Sequence, residues 1–336
     1  MIPLSVLDQS VACVGKPHGQ SIRDTIELAK VCESLGYKRF WVSEHHSHGS
    51  IVGTAPEVLI AAIASQTQRI RVGSAGVMLP HYSALHVSEQ FRVLDAIAPG
   101  RIDLGLGRAP GSDGRTAYAL NPQANERPAQ FVSDIRDILA WISGKPLADG
   151  HPFAQVKCLP ADTTMPDVWV LGSSDYGAEV AAHFGLPYAF AWFFTDGRGG
   201  REAIEIYKKT YRPSEAYPEP YPVICVWALA AETEAEALHQ YQSRARTRLL
   251  RDRGIFSELE PPDVAGAYDY SEAERARLGQ LRQSAILGTG EQVAEGIDKL
   301  ARDLGVEEVA VVTWAYDEAV RHDSYRRIAR AMGLAA

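Results

Sequence analysis

The sequence predicts an α/β protein folded as a TIM (β/α)8 barrel. Eight short apolar segments alternate with helical patterns along the 336 residues, and no change in composition divides the chain. The apolar segments are rich in Val, Ile and Leu, as in parallel strands that are covered on both faces. Alternation of this kind favours a parallel sheet with outer helices, and eight repeats favour closure into a barrel. An open, doubly wound sheet is the alternative. We therefore predict a single domain spanning residues 1–336.

The strands are predicted from runs of apolar residues and the helices from apolar spacing of three to four residues. For the first helix, Ser21-x-x-Asp24 resembles a capping box and Gly36 is a stop signal. The predicted strands are Ile2–Asp8, Lys38–Glu44, Ile70–Met78, Arg101–Gly107, Val168–Leu171, Tyr188–Trp192, Val223–Ala230 and Glu308–Trp314. The predicted helices are Ser21–Leu35, Pro56–Gln66, Ala84–Ala96, Ala124–Trp141, Tyr176–Phe184, Arg201–Tyr211, Ala235–Leu250 and Glu318–Met332.

Three connections are longer than those usual in a compact domain. They are Arg108–Gln123, Gly144–Asp167 and Arg253–Ser284. Long connections of this type are often functional or mobile. We predict insertions after strands four and seven at the catalytic rim, room for a small hairpin in Gly144–Asp167, and a mobile lid at residues 253–284.

Composition excludes several classes of protein. The net charge is −8 and no run of like charge occurs, so no nucleic-acid surface is expected. No apolar stretch approaches the roughly 20 residues of a membrane helix, and the N-terminus has no signal-peptide pattern. The four cysteines are widely separated, which favours reduced thiols and a cytoplasmic location.

Polar residues at strand ends are the candidate site, because barrel enzymes place chemistry at the carboxyl ends of their strands. The second strand ends in Glu44, His45 and His46. Adjacent strand residues point to opposite sides, so His45 and His46 are poorly placed for one metal ion, and no HExxH motif occurs. A metal-dependent hydrolase using Glu44, His46 and Asp8 is kept as an alternative. A purely structural role for the cluster is another.

Longer motifs around these strand ends resemble the bacterial luciferase-like flavin monooxygenases, in particular single-chain members that are not true luciferases. The motifs are SEHHSHG, VGSAGVMLPHYSALHVSEQFRVLDAIAPGRIDLGLGRAPG and VLGSSDYGAEVAAHFGLPYAFAWF. The resemblance implies a TIM barrel that uses reduced FMN and O2 to oxidise a small organic substrate. It also implies a separate flavin reductase and a homodimer. A deazaflavin-dependent dehydrogenase or reductase on the same barrel, and a flavin-binding protein without turnover, are the alternatives.

The turn from the fifth strand into its helix is the predicted phosphate site. Gly172, Ser173, Ser174 and Gly177 provide small residues and hydroxyls at a helix N-terminus, which favours an anion. Arg108 ends the fourth strand and is suited to a charge-assisted pair with a phosphate. The resemblance implies that these residues hold the flavin phosphate. The alternative is a serine cap with a structural arginine.

The resemblance also implies roles for residues beside the flavin ring. A cis peptide is expected within Ser74, Ala75 and Gly76, at Ala75–Gly76, and Trp192 is assigned to the cofactor site. His45 is the expected proton donor or base, with Glu44 close to the flavin, since imidazole titrates near neutrality. Where luciferases carry a reactive cysteine, this sequence has Gly107, so light emission is not implied. The aromatic residues Tyr82, Trp192, Phe194 and Trp314 are candidates for an apolar substrate pocket.

Overall fold

A computed structural model describes residues 2–161 and 164–334 and contains a closed parallel barrel. Eight strands pair in the circular order β1-β2-β3-β5-β6-β7-β8-β10, and the β10–β1 pairing closes it. The short strands β4 and β9 add to β5 and β8. The strands are β1 Leu4–Asp8, β2 Arg39–Val42, β3 Arg71–Ser74, β4 Val77–Met78, β5 Ile102–Gly107, β6 Asp167–Gly172, β7 Tyr188–Phe190, β8 Pro222–Ala230, β9 Ile286–Gly288 and β10 Glu308–Val312.

The helices surround the barrel and bury their apolar faces against it. Their core includes Leu28, Phe91 and Ile138. Two short 3-10 helices, Leu79–His81 and Arg127–Gln130, accompany the α-helices. These are α1 His18–Ser34, α2 Pro56–Ala64, α3 Ala84–Ile97, α4 Gly114–Leu120, α5 Phe131–Ser143, α6 Asp175–Phe184, α7 Trp192–Thr195, α8 Gly200–Thr210, α9 Glu234–Arg251, α10 Pro262–Gly266, α11 Glu272–Ser284, α12 Gly290–Leu304 and α13 Glu318–Ala331.

A charged network lies inside the barrel, where alternate strand residues face the axis. Arg39 on β2 bonds to both Asp103 oxygens at 2.9 and 3.0 Å and to Glu308 at 3.0 Å. Both carboxylates are fully buried. Arg71 adds a second cation to Asp103 at 2.6 Å. Each buried charge of this network therefore has an opposite partner, which offsets the cost of its burial.

Two tryptophans fill the centre of the barrel above that network. The rings of Trp41 and Trp169 meet edge to face at 5.0 Å between centroids. Strands pass closely enough here that two positions accept only glycine. A Cβ at Gly73 would lie 2.4 Å from the Asp103 carbonyl oxygen, and one at Gly105 would lie 2.1 Å from that of Ser74.

The predicted barrel, with its insertions after the fourth and seventh strands, is confirmed, but several element bounds were wrong. The predicted third strand is interrupted at residues 75–76 and continues as β4. The sixth strand ends at Phe190, and Trp192 begins α7 instead. The helix predicted from Ala124 begins at Phe131, after a 3-10 turn that contains Pro128. Helix α1 begins at His18, directly after Pro17, so the Ser21 capping box was wrong.

Two of the three long connections contain helices. Arg108–Gln123 carries α4, and residues 253–284 carry α10 and α11. Residues 144–161 and 164–166 contain no strand, so the hairpin is not found in the described part of that segment. The prediction missed α12, although Thr289 and Gln292 form a capping box at its start. No helix within the described ranges is long and apolar enough to cross a membrane.

Candidate active site

A cavity of about 640 Å³ opens at the carboxyl ends of the barrel strands. His45 and His46 follow β2 on its wall, Gly111 follows β5, and Trp314 follows β10. Helix α9 and the segment after it form the opposite wall. The residues that these last two contribute are Arg244, Thr247, Arg248, Arg251, Gly254 and Phe256. The cavity thus lies where catalytic sites form in this architecture.

His45 has its imidazole against the loop after β5. Its Nδ1 lies 3.3 Å from the Gly111 carbonyl oxygen, and its backbone N–H donates to the Gly53 carbonyl at 3.0 Å. Burial lowers the pKa of the His45 imidazole, a shift that the Gly111 contact and Glu44 partly oppose. Because a carbonyl only accepts, the neutral ring carries its proton on Nδ1. Nε2 is then left with a lone pair that can accept a proton.

Glu44 is fully buried and organises the neighbouring residues. One carboxylate oxygen accepts from His46 Nε2 and from the Tyr82 hydroxyl, each at 2.7 Å. The other accepts from the Met78 backbone N–H at 2.8 Å. These contacts tie the end of β2 to β4 and the turn that follows it. The carboxylate has no free oxygen to act as a base, so its geometry fits a positioning role.

Sequence reasoning missed how His46, His81 and Tyr82 join this cluster. The His46 ring meets the His81 ring edge to face at 5.5 Å, and His81 bonds to the Pro110 carbonyl at 2.7 Å. The spacing of Glu44 and His46 by two residues was a usable signal, because such residues share one side of a strand.

His48 links the histidine loop to the insertion after β8. Its ring packs on Phe256 at 4.5 Å and on His45 at 5.3 Å. Ser50 donates to the Ser257 carbonyl at 2.6 Å. A Cβ at Gly49 would lie 2.1 Å from the Phe256 carbonyl oxygen, so the two loops touch backbone to backbone. The loop that follows β2 and the start of the insertion therefore pack as one unit over the cavity.

The half-buried His48 ring predicts a pH dependence of stability. Burial lowers the pKa of His48 to about 4, below the roughly 6.5 of an unfolded histidine. The unfolded chain therefore takes up more protons between these values. We expect the free energy of unfolding to fall as the pH drops from about 6.5 towards 4. Unfolding by urea at pH 7.5 and 4.5 should show a smaller difference for His48→Asn than for the unchanged protein.

The matched control is the exposed His86, whose replacement by Asn should leave the difference between the two pH values unchanged. Equal pH dependence in His48→Asn and the unchanged protein would contradict the prediction.

The proposed phosphate residues lie together on the β5–β6 side of the mouth. β6 ends at Gly172, and α6 begins at Asp175, after Ser174 as its N-cap. Among the described residues, neither the Ser173 nor the Ser174 hydroxyl has a hydrogen-bond partner within the chain. The Arg108 guanidinium stacks 4.1 Å from the centre of the Tyr176 ring. The turn between β6 and α6 thus has two free hydroxyls, the N-terminus of a helix and a nearby cation.

Small residues also shape the turn and the third strand. The Ala75–Gly76 peptide bond is cis, as predicted. A Cβ at Gly76 would lie 2.7 Å from the Gly105 carbonyl oxygen, so β5 passes directly beside it. Tyr188 supports the phosphate-side turn, since its hydroxyl donates to the Ser174 carbonyl at 3.1 Å. Ser74 is buried and donates to the Gly105 carbonyl at 3.0 Å.

Two of the other predicted residues lie away from this cavity. Trp192 does not line it; its ring packs against Gly197 and Gly200 and borders a smaller cavity of about 20 Å³. Tyr82 also does not line it; its hydroxyl donates a hydrogen bond to Glu44. Phe194 and Trp314 do line the large cavity, as the aromatic-pocket prediction expected.

The alternative metal site does not assemble. Asp8 lies in an ion pair with Arg321 at 2.7 Å and also accepts from Thr25, while Glu44 is held by His46 and Tyr82. Within residues 2–161 and 164–334, no three His, Cys, Asp or Glu side chains are grouped to hold a metal ion. The metal-dependent hydrolase hypothesis therefore lacks its ligand set.

Arginines on α9 are functional candidates that sequence reasoning missed. Arg244, Arg248 and Arg251 line the cavity, although they lie on a helix and not at strand ends. Arg248 pairs with Asp196 at 2.8 Å. The spacing of four and then three residues, which places side chains on one helix face, was the available signal.

Comparison with known proteins identifies relatives over nearly the whole chain. The luciferase-like monooxygenase family matches residues 3–308. N-acetyl-S-alkylcysteine monooxygenase of Bacillus subtilis is 32% identical over 99% of this chain and 98% of its own. The crystal structure of apo-MsnO8 is 34% identical, covers 100% of this chain and 99% of its own, and superposes with a TM-score of 0.91.

A more distant structure shares the fold alone. It is the oxygenating constituent of 3,6-diketocamphane monooxygenase from Pseudomonas putida in complex with FMN, which is 19% identical. It covers 99% of this chain and 98% of its own, with a TM-score of 0.72. The fold and the family match thus define a TIM-barrel oxidoreductase. The chain belongs to the luciferase-like monooxygenase family.

Proposed function

We propose that this chain is a two-component monooxygenase that takes reduced FMN from a separate reductase and oxidises a small organic substrate with O2. The observation that carries the proposal is the common rim shared by the turn at Gly172, Arg108 and the His45 cavity. The strand order β3-β5-β6 puts the Ala75–Gly76 bond and the phosphate-side turn on neighbouring strands.

The donors around the turn fit a phosphate. Ser173 and Ser174 offer free hydroxyls and α6 offers the positive end of its dipole, while Arg108 offers a charge-assisted bond. Tyr176 stacks on the Arg108 guanidinium and limits its rotation. Ala75 and Gly76, which have little or no side chain, would lie beneath the flavin ring.

The residues around the cavity would handle protons and exclude water. Bound reduced flavin would supply the electrons that activate O2. His45 is neutral near pH 7, since burial lowers its pKa, and its Nε2 can take a proton from substrate or return one. Glu44 holds His46 and β4 in place. The 253–284 insertion, whose Phe256 touches His48, would act as the lid over the cavity.

Arg108→Met tests the phosphate site through a matched pair of ligands. FMN should bind the variant about tenfold or more weakly, because a hydrogen bond between charged groups contributes about 1.5–3 kcal/mol. Riboflavin, which lacks the phosphate, should bind both proteins equally. Quenching of flavin fluorescence measures both affinities. Equal FMN binding by the variant, or an equal loss for riboflavin, would remove Arg108 from the phosphate site.

The same titration separates the alternative cofactors and functions. Tight binding of a deazaflavin with negligible FMN binding would favour a dehydrogenase or reductase. Tight FMN binding without oxygen uptake across a panel of organic substrates would favour a flavin-binding protein. The homodimer implied by the resemblance stays a prediction that sedimentation equilibrium tests.

A further inference from the structure

Arg244 is a buried cation without an anionic partner. Its exposed fraction is 7%, and among the described residues it has no hydrogen bond and no ion pair. Its guanidinium lies 4.8 Å from the ring centre of Trp227 and 5.8 Å from that of Trp314. All three side chains line the 640 Å³ cavity. The aromatic rings favour a cation, but they do not replace hydrogen bonds to a carboxylate.

Two other deeply buried arginines differ from Arg244, because each of them has anionic partners. Arg39 is held by Asp103 and Glu308, and Arg321 by Asp8 and Glu318. Burial of an unpaired charge is costly, so an anionic ligand that pairs with Arg244 would offset that cost. Burial also lowers the pKa of Arg244, to about 9, which still leaves it protonated at neutral pH.

Donors outnumber acceptors around this end of the cavity. Within the part of the chain that the structure describes, Trp227 Nε1 and one terminal nitrogen of Arg248 are buried without a hydrogen-bond partner. The nearby carboxylate of Asp196 is already shared by Arg248 at 2.8 Å and Arg277 at 3.3 Å. A ligand that completes this set must therefore bring acceptors, and a negative charge suits the guanidinium best.

We propose that Arg244 binds a carboxylate on the substrate, so that the enzyme acts on organic acids with an apolar body. The proposal rests on the proposed function and names its substrate class. In the barrel order, β8 and β10 lie two and three strands from β6, so this cation is separate from the flavin phosphate turn. Phe193, Phe194 and Trp314 provide apolar lining in the cavity that Arg244 and His45 share. The acid group would then anchor the substrate while its apolar part lies near His45.

Tryptophan fluorescence tests the proposal directly, because two tryptophans flank Arg244. The full chain, with and without FMN, is titrated with hexanoate and with the neutral hexanamide of the same shape. We expect hexanoate to bind about tenfold or more tightly than hexanamide, as a charged hydrogen-bonded pair predicts. Arg244→Met should abolish this preference. Arg244→Lys should keep part of it, since it retains the charge but loses the planar fork.

The matched control is Arg246→Met, which removes the same charge from the same helix. Arg246 pairs with Glu260 and stacks on Tyr268, and it does not line the cavity. This variant should keep the hexanoate preference. The Tm of the Arg244→Met variant should rise by about 2 °C or more, because this substitution removes an unpaired buried charge.

Three results would overturn the proposal. One is equal binding of hexanoate and hexanamide by the unchanged protein. A second is a preserved preference in Arg244→Met together with a lower Tm, which would make Arg244 structural. The third is loss of FMN affinity in Arg244→Met without loss of the preference, which would place the guanidinium on the flavin. These affinities need no turnover, so a failure of oxygen uptake would count against the proposed function alone.

Discussion

Replacing His45 by alanine should lower kcat/KM by about 10²–10⁴-fold, the usual contribution of a positioned acid or base. The affinity for FMN should stay unchanged, because the proposed phosphate contacts come from the Gly172 turn and Arg108 and not from the His45 side chain. Turnover is measured as oxygen uptake with FMN, NADH, a flavin reductase and an organic acid selected by the binding assay.

The pH profile separates a proton-transfer role from a packing role. Burial lowers the pKa of His45 from the ordinary histidine value of about 6.5. The acidic limb of the profile, where kcat/KM falls as the pH drops, should therefore lie below about pH 6.5. His45→Gln keeps a hydrogen-bonding side chain at the Gly111 carbonyl but has no group that titrates near neutral pH. This variant should therefore lose the acidic limb and should be as slow as His45→Ala. The exposed His86→Ala serves as the control with an unaltered profile. Full activity in His45→Gln would limit His45 to holding the loop.

Replacing Arg39 by methionine should be the most destabilising of the charge changes. It leaves Asp103 and Glu308 fully buried with fewer partners, and such a loss costs about 3–5 kcal/mol. Arg71 still pairs with Asp103, and Lys38 still pairs with Glu308, so each carboxylate keeps one cationic partner. We therefore expect a loss near the lower limit, about 3 kcal/mol. Urea unfolding monitored by circular dichroism gives the free energy of unfolding.

Arg302→Met is the matched control for that change. Arg302 pairs with Asp298 one helical turn away, and its side chain is largely exposed. Exposed pairs of this type contribute about 0.3–0.5 kcal/mol. If Arg39→Met cost no more than Arg302→Met, the interior network would not stabilise the barrel.

The barrel was predictable from the sequence because its strands are apolar runs, each separated by a helical pattern. The bounds were less predictable where local signals competed with packing. Trp192 has a residue type favoured in strands, yet the chain turns into α7 beside Gly197 and Gly200. Pro128 lies inside the helix predicted from Ala124, and the helix begins only after it.

Part of the site was predictable for the same reason. Residues at strand ends, such as His45 and Gly172, share a rim in any parallel barrel. The partners of Glu44 were not predictable, since Tyr82 and Met78 reach it through a turn whose shape depends on the interruption at Gly76. Arg244 was missed because the case for its role is that it has no anionic partner among the described residues. No sequence pattern shows whether a side chain is paired.

The pairing of β10 with β1 has a consequence for the order of events during synthesis. Leu4 lies opposite Val309, and Ser5 bonds to Glu308 across 303 positions of sequence. One edge of β1 therefore stays unpaired until β10, Glu308–Val312, has been synthesised and has left the ribosome. Unpaired edges invite association with other chains. During translation, the unpaired edge of β1 is thus open to association with other chains, and slower elongation before β10 would prolong that exposure.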